Sequence, residues 1–220
     1  VKKGDIFVIM GASGCGKTTV MRCMSGLKAP SSGEVLIDGV SLWSADTEAR
    51  AALCSRFGIV YQSGALWSSM TLVENIGLPL GEYTGLGPGE IRDLAALKLA
   101  LVGLAGFEDH YPSEISGGMR KRAGVARALA LDPDFLFFDE PSAGLDPVTS
   151  ARLDELILQL RDNIGITMVL VTHELPSIFG IADTAVYLDV ETRSMIAAGS
   201  PRELLSNEEN PKIQAFLTRN

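Results

Sequence analysis

The residues Gly11-Ala12-Ser13-Gly14-Cys15-Gly16-Lys17-Thr18 have the spacing Gly-x-x-x-x-Gly-Lys-Thr, behind an apolar run and ahead of a helical stretch. Glycines at these places let the backbone wrap so that several N–H groups face one anion. The adjoining helix N-terminus adds about half a positive charge. Lys17 brings an ammonium to the same phosphates, and the Thr18 hydroxyl suits Mg²⁺. Further on, Phe135-Leu136-Phe137-Phe138-Asp139-Glu140 sets two carboxylates where a buried strand emerges. Adjacent acids must divide their roles. Asp139 is suited to hold Mg²⁺, directly or through water, and Glu140 to polarise an attacking water as general base.

Three more segments could join this chemistry. Gln62 and His173 each follow an apolar strand, where ligands of open α/β sheets sit. A neutral amide can touch Mg²⁺ or a water and release it without moving charge, and His173 could bridge a γ-phosphate and Glu140. Ser116-Gly117-Gly118-Met119 opens a helix with a hydroxyl and free N–H groups, a second anion site. Taken alone, Ser116 would be a simple helix N-cap. Its place between the glycine-rich loop and Asp139-Glu140 argues for phosphate donors that serve a second copy of the chain, with a dimer closing over ATP.

The elements that must hold these residues follow from periodicity. Apolar runs over 6–10, 57–61, 135–138 and 166–171 read as strands buried on both faces, and 34–38, 184–188 and 195–198 as further strands. Helices are expected over 17–25, 45–55, 72–80, 90–104 and 117–131. The helix over 72–80 follows a capping box, Thr71 and Glu74, and another begins at Ser200 with Glu203. Asp146-Pro147 opens a helix whose Leu153, Leu156, Ile157 and Leu160 share one face. In the helix over 90–104, Leu94, Leu97, Leu101 and Leu104 are expected to form the buried face. Strands alternating with helices predict an α/β fold with a mostly parallel sheet flanked by helices. Residues 72–116 read as an inserted helical subdomain, with 1–71 and 117–220 as the core. A strand this close to Val1 suggests that N-terminal strands are missing.

Bulk properties narrow the function. Hydrophobic residues make up 46% and charged residues 21% of 220, which suits one globular domain. The net charge of −8 disfavours nucleic acid as a partner, and the one compact basic cluster, Arg120-Lys121-Arg122, reads as a solvated helix face. Cys15, Cys23 and Cys54 show neither metal spacing nor a disulfide framework, and Cys15 reads as a small spacer. No apolar run is long enough to cross a bilayer, so a membrane role would come through a partner.

Taken in order, the glycine-rich loop, Gln62, residues 116–119, Asp139-Glu140, Ser142-Ala143-Gly144-Leu145-Asp146 and His173 resemble the motifs of an ABC transporter nucleotide-binding domain. They match its Walker A, Q-loop, signature, Walker B, D-loop and H-loop. The resemblance implies a P-loop NTPase that binds ATP and Mg²⁺ through Gly11, Ala12, Ser13, Gly14, Cys15, Gly16, Lys17, Thr18 and Thr19, with Thr18, Gln62 and Asp139 at the metal. It implies hydrolysis supported by Glu140, His173 and Gln62. It also implies contact with a partner copy's ATP through Ser116, Gly117, Gly118 and Met119, and communication across the dimer through Ser142 and Asp146. The signature's usual fifth residue is Gln, and here it is Met119. The family's adenine-stacking aromatic, which precedes Walker A, is not in the sequence.

The flanks of Met119, the run Gln62-Ser63-Gly64-Ala65-Leu66 and the run Pro211-Lys212-Ile213-Gln214-Ala215-Phe216-Leu217 are similar to MlaF-like ATPases. That subgroup implies lipid transport with a transmembrane permease and an Mce-type lipid-binding protein, at the cytoplasmic face of the inner membrane. The permease would meet Leu66, Trp67, Met70 and Leu72. Alternatives are the ATPase of a polar-solute importer and a soluble ABC ATPase of DNA repair or translation. The long coiled coil or second cassette of the soluble types is not seen.

Overall fold

The computed structural model of the chain describes residues 1–206 and 210–218. In chain order the strands are β1 (Ile6–Gly11), β2 (Leu36–Ile37), β3 (Val40–Ser41), β4 (Phe57–Val60), β5 (Phe135–Asp139), β6 (Thr167–Val171), β7 (Thr184–Asp189) and β8 (Ser194–Gly199). The helices are α1 (Lys17–Met24), α2 (Thr47–Cys54), α3 (Leu72–Tyr83), α4 (Pro88–Leu101), α5 (Gly117–Ala128), α6 (Pro147–Ile164), α7 (Leu175–Ile181), α8 (Pro201–Ser206) and α9 (Pro211–Leu217). The main sheet runs β4-β5-β6-β1-β7-β8. All its neighbours are parallel except β7 and β8.

Two cores explain the unbroken apolar strands. Val8, Met10, Leu136, Phe138, Met168 and Leu170 face a larger core on one side of the sheet. Their neighbours Ile9, Phe137, Val169 and Val171 face a smaller one, with Met21 of α1. Alternate side chains of a strand point to opposite faces, so a strand covered on both sides must be apolar throughout. The Phe57 ring meets Phe135 and Phe137 edge-on at 5.7 and 5.5 Å, closing the smaller core at the edge strand β4.

The helical stretch between β4 and β5 begins with the expected capping box. Thr71 Oγ1 accepts from the Glu74 amide at 3.4 Å, and Glu74 Oε2 accepts from the Thr71 amide at 2.7 Å. Asn75, fully buried, clips the preceding loop to α3. Its Oδ1 accepts from Trp67 N–H at 2.7 Å, and its Nδ2 lies 2.9 to 3.1 Å from the carbonyls of Trp67, Met70 and Thr71.

Helix α4 turns only part of the expected face inward: Leu104, just beyond it, is fully buried and Leu94 packs against the core. Ala95, Lys98, Leu99 and Val102 are buried, whereas Leu97 and Leu101 are exposed. The sequence carries two apolar stripes at helical spacing, and the stripe containing small Ala95 packs inward. Lys98 reaches out to Asp132 at 2.5 Å, which keeps its charge paired while its stem is covered. The strand expected over 34–38 is shortened to β2, with β3 following it outside that stretch. β2 and β3 form a hairpin turning through Asp38 and Gly39, both at positive φ. Leu72, expected at a partner surface, is wholly buried, while Trp67 is exposed.

Candidate active site

The C-terminal ends of β1, β4, β5 and β6 open onto one cavity of about 560 Å³. Gly11, Ala12, Ser13 and Lys17 form one wall, and Gln62, Glu140 and His173 another. Residues scattered over most of the chain meet here because parallel strands all end at the same sheet edge.

The glycine-rich loop has the form an anion needs. Gly16 caps α1 with φ 103°, a left-handed conformation that strains any residue with a Cβ. The first intrahelical bond runs from Val20 N–H to the Gly16 carbonyl, so the amides of Lys17, Thr18 and Thr19 precede it. Lys17 Nζ donates to the Gly11 and Ala12 carbonyls at 3.0 and 3.1 Å, which holds the ammonium within the loop. Cys15 packs its side chain into the smaller core, in line with a spacer role. Thr18 Oγ1 donates to Asp139 Oδ1 at 2.9 Å. A hydroxyl and a carboxylate side by side are hard oxygen ligands of the kind Mg²⁺ takes. The donor set therefore fits Mg·ATP.

Glu140 is set apart from Asp139 by its backbone. Its amide donates to Val171 O at 2.9 Å, one step beyond the β5–β6 ladder. Its φ is then 49°, a sparsely populated conformation for a non-glycine residue. The turn carries the Glu140 side chain away from that of Asp139. Glu140 Oε1 lies 3.0 Å from His173 Nδ1, while Oε2 is buried without a partner among the described residues. His173 is itself largely exposed, with Nε2 3.9 Å from Glu174. The arrangement is a carboxylate backed by an imidazole, at the mouth of a phosphate cradle.

Residues 116–119 lie elsewhere. Ser116 N-caps α5, accepting from Met119 N–H at 3.2 Å. Ser116, Gly118 and Met119 line a separate small pocket with Leu145 and Thr149. A Cβ on Gly118 would stand 2.4 Å from Thr149 Cγ2, so glycine is what lets the start of α5 touch the start of α6. Asp146 caps α6 through the Val148 and Thr149 amides at 3.1 and 3.0 Å, and Thr149 Oγ1 donates to its Oδ2 at 2.5 Å. These bonds, the Thr149 hydroxyl first, hold the Asp146 carboxyl below its usual range. Ser142 is buried, its Oγ without a partner among the described residues.

The basic cluster is not the solvated face expected of it. Arg120 Nη1 donates to the Ile115 and Pro112 carbonyls at 2.7 and 3.3 Å. Arg122 Nη1 donates to those of Val102 and Gly103, and Lys121 is buried. Each arginine finds main-chain acceptors left free at neighbouring turns. Leu175 and Phe216 also line the cavity, and sequence reasoning gave neither a place there. Phe216 arrives on α9, braced edge-on against Tyr187 at 5.3 Å, and its helical spacing signals burial without signalling where.

Residues 1–143 match the ABC transporter family. The chain belongs to that family. It is 40% identical over 217 residues to the probable ribonucleotide transport ATP-binding protein mkl of Mycobacterium tuberculosis, covering 99% of this chain and 60% of that protein. It is equally similar, 40% over 217 residues, to the intermembrane phospholipid transport system ATP-binding protein MlaF of Escherichia coli K12, covering 80% of it. The chain thus spans about 60% of the length of its mycobacterial relatives. A dimeric ATP-binding cassette solved with ADP and Pi superposes with a TM-score of 0.80 at 30% identity, over 91% of this chain and 87% of that one. cbiO1 of Clostridium perfringens, part of an ABC transporter complex, gives 0.85 at 27% identity, over 95% and 82%. The names of the relatives agree on ATP and differ on cargo.

Among the described residues, no helix of this ABC chain is long and apolar enough to cross a membrane.

Proposed function

We propose that the chain is the ATP-hydrolysing subunit of an ABC transporter, working as a pair of copies that share two ATP molecules. One observation carries this reading. The cavity gathers Lys17, Gln62, Glu140 and His173 from one chain, whereas residues 116–119 open a helix outside it. A second copy placed head-to-tail supplies that helix start to the first copy's γ-phosphate. Thr18, Asp139 and Gln62 are the residues that would hold Mg²⁺, whose charge screens the phosphate oxygens. Lys17 exchanges its loop carbonyls for phosphate oxygens when nucleotide enters. Glu140 takes a proton from the attacking water while His173 fixes its Oε1. Ser142 and Asp146, in the turn leading to α6, whose Thr149 meets Gly118 of α5, relay the state of one site to the other across the dimer.

The cargo reading is lipid, driven with a transmembrane permease and an Mce-type lipid-binding protein at the cytoplasmic face of the inner membrane. It is supported by the likeness to MlaF and by the flanks of Met119. A second reading, transport of a polar solute, is favoured by the printed name of mkl. Co-purification of the chain with its permease and mass spectrometry of the bound molecule separates the two. For the ATPase reading the test is Glu140→Gln. It retains ATP binding, accumulates closed dimers and loses turnover by two or more orders of magnitude, the usual reach of a general base. Undiminished steady-state hydrolysis would sink the assignment.

A further inference from the structure

Leu175 and Phe216 are the two large apolar side chains that line the catalytic cavity, beside Gln62, Glu140 and His173. The other apolar side chains there, Ala12 and Ala143, end at Cβ. Phe216 is 6% exposed and belongs to the larger core, so its ring is part of the wall and not a surface group. The hydrolytic pair is unevenly covered. The Glu140 side chain is 17% exposed and that of His173 58%. The imidazole has one short contact, 3.0 Å to Glu140 Oε1, and a long one of 3.9 Å to Glu174. A ring held by one hydrogen bond keeps its orientation only where packing limits the alternatives. The helix that brings Phe216, α9, is seated away from the cavity. Lys212 pairs with Asp189, buried at the end of β7, at 3.1 Å, and with Glu191 at 2.5 Å. Gln214 Nε2 donates to the Leu205 carbonyl of α8. The Phe216 ring rests edge-on against Tyr187, which lies opposite Met10 in the β1–β7 ladder, one residue before the phosphate loop.

We infer that Phe216 is a positioning residue for ATP hydrolysis: with Leu175 it walls the apolar side of the cavity and keeps the His173 imidazole against Glu140 Oε1. The inference rests on Glu140 being the general base. An apolar wall acts in two ways. It denies the imidazole the space for other orientations, and it keeps competing water from the Glu140–His173 hydrogen bond, which is stronger where water is excluded. Leu175 alone sits on the segment it would have to steady, two residues beyond His173. Phe216 comes from a helix fixed to β7 and α8, so it supplies a surface that does not move with that segment. The C-terminal helix thereby becomes part of the hydrolytic site, and Gly11 and Phe216, from opposite ends of the chain, face one cavity.

The test compares Phe216→Ala, which removes the wall, with Phe216→Leu, which keeps a large apolar side chain. Both are assayed as the full chain for steady-state ATP hydrolysis, below the onset of their own melting and beside Glu140→Gln. Phe216→Ala is expected to lower kcat on the order of tenfold, short of the roughly hundredfold that a misplacement of about 1 Å can cost. The KM for ATP stays within about twofold of wild type, since the wall serves the reacting state and not nucleotide binding. Phe216→Leu restores most of kcat. His173→Ala and the double variant Phe216→Ala with His173→Ala are compared over a single turnover, so that slow variants stay readable. Because the ring acts through His173, the double variant is slower than His173→Ala by no more than about twofold. A Phe216→Ala kcat within about twofold of wild type overturns the inference. So do losses that multiply in the double variant, which mark a structural role apart from His173, equal damage from Leu and Ala, or a raised KM at unchanged kcat, which marks nucleotide binding. If Phe216→Ala does not fold, Phe216→Val is read by the same criteria. An active Glu140→Gln removes the general base itself, whereas an inactive Glu140→Gln beside an undisturbed Phe216→Ala removes only the role of Phe216.

Discussion

The contact between Gly118 and Thr149 can be tested by stability alone, apart from nucleotide chemistry. A Cβ at position 118 would lie 2.4 Å from Thr149 Cγ2. Carbon atoms rest at about 3.5–4.0 Å, so the two must separate by more than about 1 Å. Thr149 is not free to swing away. Its β-branched side chain has few rotamers, and its hydroxyl is held by Asp146 at 2.5 Å. Either that bond breaks or α5 lifts from α6, and overpacking of this sort costs about 1–3 kcal/mol. The better helix propensity of alanine returns up to about 1 kcal/mol. For Gly118→Ala a net loss of about 1–2 kcal/mol lowers Tm by about 2–8 °C in a chain of this size. Thermal unfolding followed by circular dichroism reads it. Thr149→Ser keeps the hydroxyl and removes the methyl group, so the pair Gly118→Ala with Thr149→Ser recovers most of the loss. A Gly118→Ala protein as stable as wild type, or a double variant no better than the single one, would refute the steric argument.

Ser116→Arg removes an N-cap worth about 1 kcal/mol, so the variant folds and binds ATP as a monomer. On the proposed shared site its hydrolysis is abolished, because the new side chain would fill the place of the partner's phosphate; persistence of ATPase activity beside normal nucleotide binding would contradict the shared site. Asp154→Asn is expected to raise Tm at neutral pH. Burial holds the Asp154 carboxyl above its usual range, partly offset by the Ser177 hydroxyl donating to it at 2.8 Å. A raised folded pKa means the native state favours the protonated acid. Its contribution is fully present below the unfolded value of about 3.9 and is lost as pH rises through the folded value. The asparagine therefore gains over wild type at neutral pH, and the gain vanishes toward pH 3; a gain independent of pH in thermal melts would refute the cause.

Much of the frame was legible because its signals are local. The strands 135–138 and 166–171 had to be buried on both faces, and Asp146-Pro147 with Leu153, Leu156, Ile157 and Leu160 read as a capped helix with one core face, as found. Where two patterns competed, the sequence could not arbitrate. Helix α4 offers two apolar stripes, and the choice of Ala95 and Leu99 over Leu97 and Leu101 is made by what packs against it. The site divides in the same way. Lys17 and Thr18 share one motif, and the resemblance to an ABC domain implies that Asp139 meets them. Phe216 and Leu175 reach the cavity only through tertiary packing. A basic triplet with carbonyl-bound and buried members looks the same in one dimension as one wholly exposed.

The loop between Gln62 and Thr71 is fixed at both ends by parts that do not yield. At one end Gly64 abuts Gly124 with no side chain between them, and at the other Asn75 ties down Trp67, Met70 and Thr71. Trp67, exposed at the crest, stands on a strut and not on a spring. Elastic loops absorb displacement, and this one has little slack to absorb it. A displacement of Trp67 is met first by α3, through Asn75, while α5 meets the same loop at Gly64.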